Sequence, residues 1–254
     1  MMTLHNNDEA VSESLGYILI FGVVISCIGI MLLSGSQVIS DTEKRNSLQA
    51  VEQSFNILSS DIKMTAFDSS PIRTDRIKID GGSILVDSQE PVLTVKYPGS
   101  SVLFTDAIGS VVYASDSSDD TIAVENGALI KGYGTSNSQI VSEPRMYYCQ
   151  DTRTLMISVI DISGVPSSIG GDTICNLKLK SSGVAQPIEM ISASGDTVTI
   201  SIKSEYGRAW EQYYTKSFKP NMAVQPGPSG WTTVTLDNVR RVIIVRYDIN
   251  VEVA

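Results

Sequence analysis

The sequence predicts an α+β chain, with a long N-terminal helix followed by a mostly antiparallel β head of sandwich- or barrel-like type. Three observations predict it. The block Leu15–Leu33 holds nineteen small or apolar residues with one Ser, and no charged residue occurs from Ser14 to Ser40. Next, Leu48, Val51, Phe55, Leu58 and Ile62 recur at spacings of 3, 4, 3 and 4, the stripe of an amphipathic helix. From about residue 70 onward, short alternating or β-branched runs are punctuated by Gly, Pro, Ser and Asp.

The first element is read as a transmembrane helix over 11–36, preceded by a leader-like segment, 1–10. Nineteen residues rising ~1.5 Å each cover about the hydrocarbon thickness of a bilayer. A soluble helix of that length needs a polar face, and this one has none. A cleaved secretory signal has a basic start and a shorter apolar run. Here Asp8, Glu9 and Glu13 precede the run and no Lys or Arg does, so a retained anchor is preferred to cleavage after Ser36. The partner implied is membrane lipid, crossed once.

The second element is an amphipathic helix over 37–67, after a break at Ser34-Gly35-Ser36. Its stripe fits packing on the chain's own sheet better than coiling with neighbouring copies, because five stripe positions are few for a coiled coil. The head, 70–254, then carries runs at 76–79, 83–86, 92–97, 110–114, 121–125, 128–131, 155–162, 187–191, 197–203 and 239–253. Asn126-Gly127 between two such runs is the strongest hairpin signal, since both turn positions need positive φ. "SEYGRAWEQYYTKSF" reads as a short helix, "NMAVQPGPSG" as a loop, and "VSEPR" as the one place for a domain boundary.

The segment Ala10-Val11-Ser12-Glu13-Ser14-Leu15-Gly16-Tyr17 resembles the N-terminus of archaeal type IV pilin-like, membrane-anchored surface proteins. In these, a short leader precedes a Val-Ser-Glu-like segment that enters the apolar helix directly. The resemblance covers mainly residues 10–40. It implies processing after Ala10 to give a chain starting at Val11, with Glu13 set to pair with the new amine of a neighbouring subunit. Asp8 and Glu9 stand where the family carries basic residues. The resemblance also implies a cell-surface location for the head and other pilin-like subunits, or further copies, as partners. Gly22, Ser26 and Gly29 leave a small-residue groove on one helical face, either a helix-packing contact or the ordinary glycine content of a membrane helix.

Charge and chemistry narrow the function. Beyond residue 40 lie 19 basic and 25 acidic residues, a net −6, which argues against nucleic acid as a partner. Lys44 and Arg45 after the apolar run weakly favour a cytoplasmic head. The resemblance and the β-rich, Ser/Thr-rich composition place it outside. Cys149 and Cys175 are candidates for one disulfide in an oxidising compartment, the alternative being two unpaired buried thiols. The sole His is His5, so the head has no His-based triad or His-ligated metal site. There is no GxGxxG, Walker A or CxxC, and no cofactor is expected. Asp116, Asp119 and Asp120 form a weak Ca²⁺ candidate without EF-hand spacing, more simply a solvated acidic turn. Trp210, Tyr213, Tyr214 and Trp231 suit core packing better than sugar stacking, because Trp210 and Tyr214 lie four apart on a helix.

The expectation is a non-enzymatic structural or interaction protein of the cell surface, either a filament subunit or a fixed component. The alternative is an anchored adhesin or ligand-binding β module.

Overall fold

The computed structural model describes residues 8–67, 71–97, 101–134, 137–219, 224–226 and 230–253, without the side chains of 8–14, 34, 36–37, 40–41 and 225–226. The fold is α+β with a mostly antiparallel β head, as expected. Helix α1 (Asp8–Phe67) has continuous helical backbone through Ser34-Gly35-Ser36, so the expected break does not occur. A Gly among Ser residues costs a helix about 1 kcal/mol, and with no Pro nearby that does not end it.

The chain divides into two compact units, Met1–Asn46 and Ser47–Ala254. In the first, the side chains of Leu15–Leu33 are exposed throughout. The second unit contains the stripe of α1 together with the whole head. Val51, Phe55, Leu58 and Ile62 are fully buried, and Ala66 extends the row. They pack on Ile77, Ile84, Tyr113, Val124, Leu177 and Val251 among others. The apolar face is therefore spent on the chain's own sheets, not on a neighbouring copy.

Strands β1 (Ile72–Ile79), β2 (Gly82–Asp87), β3 (Val92–Tyr97), β4 (Ser101–Ala107), β5 (Ser110–Ser115) and β6 (Thr121–Glu125) come first. Then follow β7 (Ala128–Tyr133), β8 (Asn137–Ser142), β9 (Met146–Cys149), β10 (Thr154–Ser163), β11 (Ser167–Gly170), β12 (Thr173–Val184) and β13 (Ile188–Lys203). Helix α2 (Gly207–Phe218), the two-residue β14 (Gln225–Pro226) and β15 (Trp231–Val253) complete the chain. One sheet runs β11-β2-β5-β6-β7-β8, and the other holds nine strands centred on β15, together a curled half-barrel.

β15 organises the larger sheet. Its first half pairs antiparallel with β13, through Ile244, and its last residues with β12, from Tyr247. Parallel β10 spans both stretches, from Arg241 to Asn250. Each strand has two edges, so β12 and β13 lie end to end along one edge and β10 along the other. The parallel β10–β15 pair is the departure from an otherwise antiparallel head. No domain boundary falls at "VSEPR", since β8 and β9 belong to the same compact unit. The "NMAVQPGPSG" segment is described only in part, and its Gln225–Pro226 pairs with Thr232–Thr233.

A second core lies under α2. Its buried face, Ala209, Trp210, Tyr213, Tyr214 and Phe218, covers Leu93, Ile130, Ile157, Ile200 and Val234. Tyr214 stacks on Phe218 at 5.6 Å, and Trp210 meets Tyr213 edge-on at 6.0 Å. Trp210 and Tyr214 are thus core residues, and no sugar platform exists there.

Candidate functional site

The apolar run is the first candidate. Leu15–Leu33 is one helical stretch long and apolar enough to cross a membrane, a description that a membrane span and a signal sequence both meet. Gly22, Ser26 and Gly29 fall within one arc of its surface. A side chain at either glycine would meet nothing within 4 Å, and the Ser26 hydroxyl is turned inward, donating to the Gly22 carbonyl at 2.8 Å. A shallow strip lined by small groups results. Ala10, Val11 and Glu13 lie in the helical backbone of α1, with side chains outside the described residues. Residues 1–7 of the leader-like segment also lie outside them.

In the head, the expected cysteine pair does not form, and both thiols are free. The strand register explains why. Cys149 is level with Thr154, and Thr154 with Arg241, whereas Cys175 lies two residues beyond the Leu177–Val253 pair. Twelve residues of β15 separate those levels, roughly 40 Å at about 3.3 Å per residue, while a disulfide needs Cα atoms within about 7 Å. Cys175 faces the core and burial pushes its thiol pKa up. Cys149 is exposed, and a hydrogen bond from the Thr152 side chain draws its pKa down.

The acidic turn likewise makes no metal site. Among the described residues no group of three or more His, Cys, Asp or Glu side chains is placed to hold a metal ion. Asp120 instead accepts the Ser118 hydroxyl at 3.0 Å, and the Asp116 amide donates to the Gly81 carbonyl at 2.9 Å. The turn ties its own ends.

Two buried ionisable groups escaped the sequence reading. Glu125, at the end of β6, is 3% exposed. Its Oε2 accepts Trp210 Nε1–H and the Ser204 hydroxyl, both at 2.8 Å. Burial raises its pKa to about 7, against the lowering effect of those two donors. Asp75, on β1 beneath α1, is also raised to about 7, first by burial and then by the Asp61 carboxyl beside it, with Arg73 opposing. Arg73 donates to Asp61 at 2.8 Å. A third cluster joins strands of the large sheet to β4: Arg246 binds Asp106, Asp161 (2.5 Å) and Asp248 (2.6 Å). These groups serve packing: each carboxylate already has its donors or sits against a core. An acid flanking Asn-Gly reads as a solvated turn, and only the unbroken burial of Ile122–Glu125 marks Glu125 as internal.

Helix and head together define an α+β protein with a single N-terminal stretch suited to a membrane and a β head built on two sheets. The chain belongs to the family of unknown function DUF7289, whose model matches residues 9–252. It is similar to an uncharacterized protein of Archaeoglobus fulgidus, 30% identical over 89 residues. That alignment spans 35% of this chain and 29% of the relative's length. No solved structure matches.

Proposed function

We propose that this is a membrane-anchored cell-surface protein of pilin-like design with a structural or interaction role, the β head lying outside the cell. One observation carries the reading: nineteen apolar residues in a helix, all exposed, on a chain whose remaining apolar faces are buried. Exposing that much apolar surface to water is costly, at about 25 cal/mol per Å². Lipid or other apolar helices remove the cost. The small-residue strip at Gly22, Ser26 and Gly29 supports close helix–helix approach within that layer. The Ala10-Val11-Ser12-Glu13 start supports the pilin-like arrangement. The match to an archaeal relative is in keeping with an archaeal setting.

The test is fractionation of cells making the full chain, followed by mass spectrometry of its N-terminus. Retention in the membrane after alkaline extraction, with the head digested by protease added to intact cells, is the expected result. A mature chain starting at Val11 makes it a processed subunit, and one retaining residues 2–10 a fixed anchor. Full-length protein in the aqueous fraction without detergent rejects the anchor, and a head cut only after lysis reverses the topology.

A further inference from the structure

The head carries an open groove of about 610 Å³, within the usual size range of ligand sites, between the β5–β6 turn, the β7–β8 end and the start of α2. Its wall includes Ser118, Asp119, Asp120, Asn137, Glu205 and Tyr206. Three of these are carboxylates, and no Lys or Arg lines the groove. Among the described residues, none of the three carboxylates forms an ion pair. Glu205 stands just before α2 and offsets the positive end of that helix, whose Ala209 N–H is met by Ser138 Oγ at 3.0 Å. Asp119 and Asp120 remain as charges without a counter-charge.

Tyr206 is the second, independent observation. It is only 6% exposed, yet its phenolic oxygen has no partner in hydrogen-bond geometry. The Thr121 hydroxyl nearby only partly offsets the burial that pushes the phenol up to about 12. Its ring rests against Gly132, where an added Cβ would stand 3.2 Å from the ring and 2.3 Å from Thr121 Oγ1. The backbone is shaped to admit this tyrosine, which leaves a neutral hydroxyl unanswered at a groove rimmed by negative charge. Buried polar atoms are nearly always satisfied, so such an orphan marks a place for a ligand atom.

We propose that this groove binds an extended aliphatic amine, its ammonium groups meeting Asp119, Asp120 and Glu205 and one N–H donating to Tyr206 Oη. A metal ion does not fit, because no three of the acids converge. A neutral sugar leaves the carboxylates unpaired, and an anion is repelled. A chain with ammonium groups along its length matches carboxylates spread along a groove. The site lies wholly in the head and is independent of the anchor reading.

The amine has two sources, a free polyamine or lysines of a neighbouring protein, and the experiment separates them. Full-length protein in uncharged detergent micelles is titrated calorimetrically with spermidine, with a tetralysine peptide and with a neutral disaccharide, at low salt. Saturable binding of one amine ligand per chain is expected. It should weaken about 3- to 10-fold in each of Asp119→Asn, Asp120→Asn and Glu205→Gln, and be unchanged in Asp151→Asn on another exposed turn. Tyr206→Phe should weaken it similarly while leaving the melting temperature equal or higher, since it deletes an unpaired buried hydroxyl. A purely structural tyrosine would show the reverse. Binding of spermidine alone assigns a free amine, and of the peptide alone a protein-borne one. Absence of saturable binding by either, equal binding by the groove variants, or preference for the disaccharide overturns the proposal.

Discussion

The side-chain carbonyl of Asn126 accepts the backbone N–H of Ile160 at 2.7 Å, joining the hairpin turn of one sheet to the open edge of the other. β9 covers β10 only as far as Ile157. Beyond it, alternate amides on that edge need partners: Ser158 finds the Arg145 carbonyl at 3.0 Å, Ile160 finds Asn126, and Ile162 finds the Ile108 carbonyl at 2.8 Å. Loops thus seal an edge that would otherwise pair with another chain. The same turn reaches α1, where the Ser59 hydroxyl donates to the Gly127 carbonyl at 2.9 Å. One two-residue turn ties both sheets and the helix.

That turn should be the most sensitive point of the head outside its apolar core. Asn126 and Gly127 have φ of 49° and 71°. A Cβ on Gly127 would lie 2.9 Å from Ile160 Cδ1 and 3.3 Å from Lys63 Cγ. Gly127→Ala is expected to cost about 2 kcal/mol or more, combining strain and contact. Asn126→Ala should cost about 1–3 kcal/mol by orphaning the Ile160 amide. Denaturant midpoints of the full-length protein in detergent check both.

Stripe and off-stripe positions of α1 should separate cleanly. Leu58 is fully buried, whereas Ile57 is 60% exposed. Leu58→Ala is expected to lose about 2–5 kcal/mol, and Ile57→Ala to change stability by about 0.5 kcal/mol or less. Equal effects would mean that the stripe is not packed on the sheets.

The head should lose stability as pH rises from about 4.5 towards 7. Glu125 and Asp75 hold their protons more tightly folded than unfolded, so the folded state binds more protons in that window. Their contribution is complete below the unfolded pKa and disappears as pH passes about 7. For fully buried Glu125 it amounts to at most about 3 kcal/mol. Glu125→Gln keeps an acceptor for Trp210 and should flatten the pH dependence of the melting temperature. An unchanged slope in that variant would show that Glu125 does not titrate in this range.

The thiols should react at very different rates. Maleimide is expected to label Cys149 within minutes in the folded protein and Cys175 only after denaturation, because one is exposed and the other sealed in the core. Mass mapping after labelling under native conditions reads this directly. A protected Cys149 would contradict its placement at the end of β9.

What was legible in the sequence followed from period and turn chemistry. The Leu48–Ile62 stripe, the Asn126-Gly127 hairpin and the helix around Trp210 each carry a local signal that the fold obeys. β12 alternates Cys175, Leu177 and Leu179 with Asn176, Lys178 and Lys180, yet its cysteine was weighed as a bridge and its alternation passed over. The first half of β15 hides its pattern among threonines, with Thr232, Val234 and Leu236 inward. β8 and β11 are polar and short, and pairing rather than pattern makes them strands. The amine groove was illegible because its walls come from residues about 90 apart in the chain, and the orphaned Tyr206 hydroxyl is a property of packing alone.

β15 follows in the chain every strand that it joins. Until its residues leave the ribosome, β10, β12 and β13 have no common neighbour, and the parallel pairing that completes the large sheet cannot begin. The apolar stretch of α1, by contrast, emerges more than two hundred residues earlier and is ready for a membrane while the head is still unmade. Delivery of this protein therefore precedes its folding: the order of synthesis hands the membrane machinery an unfolded polymer rather than a finished domain, and leaves the β head to close wherever it has been delivered.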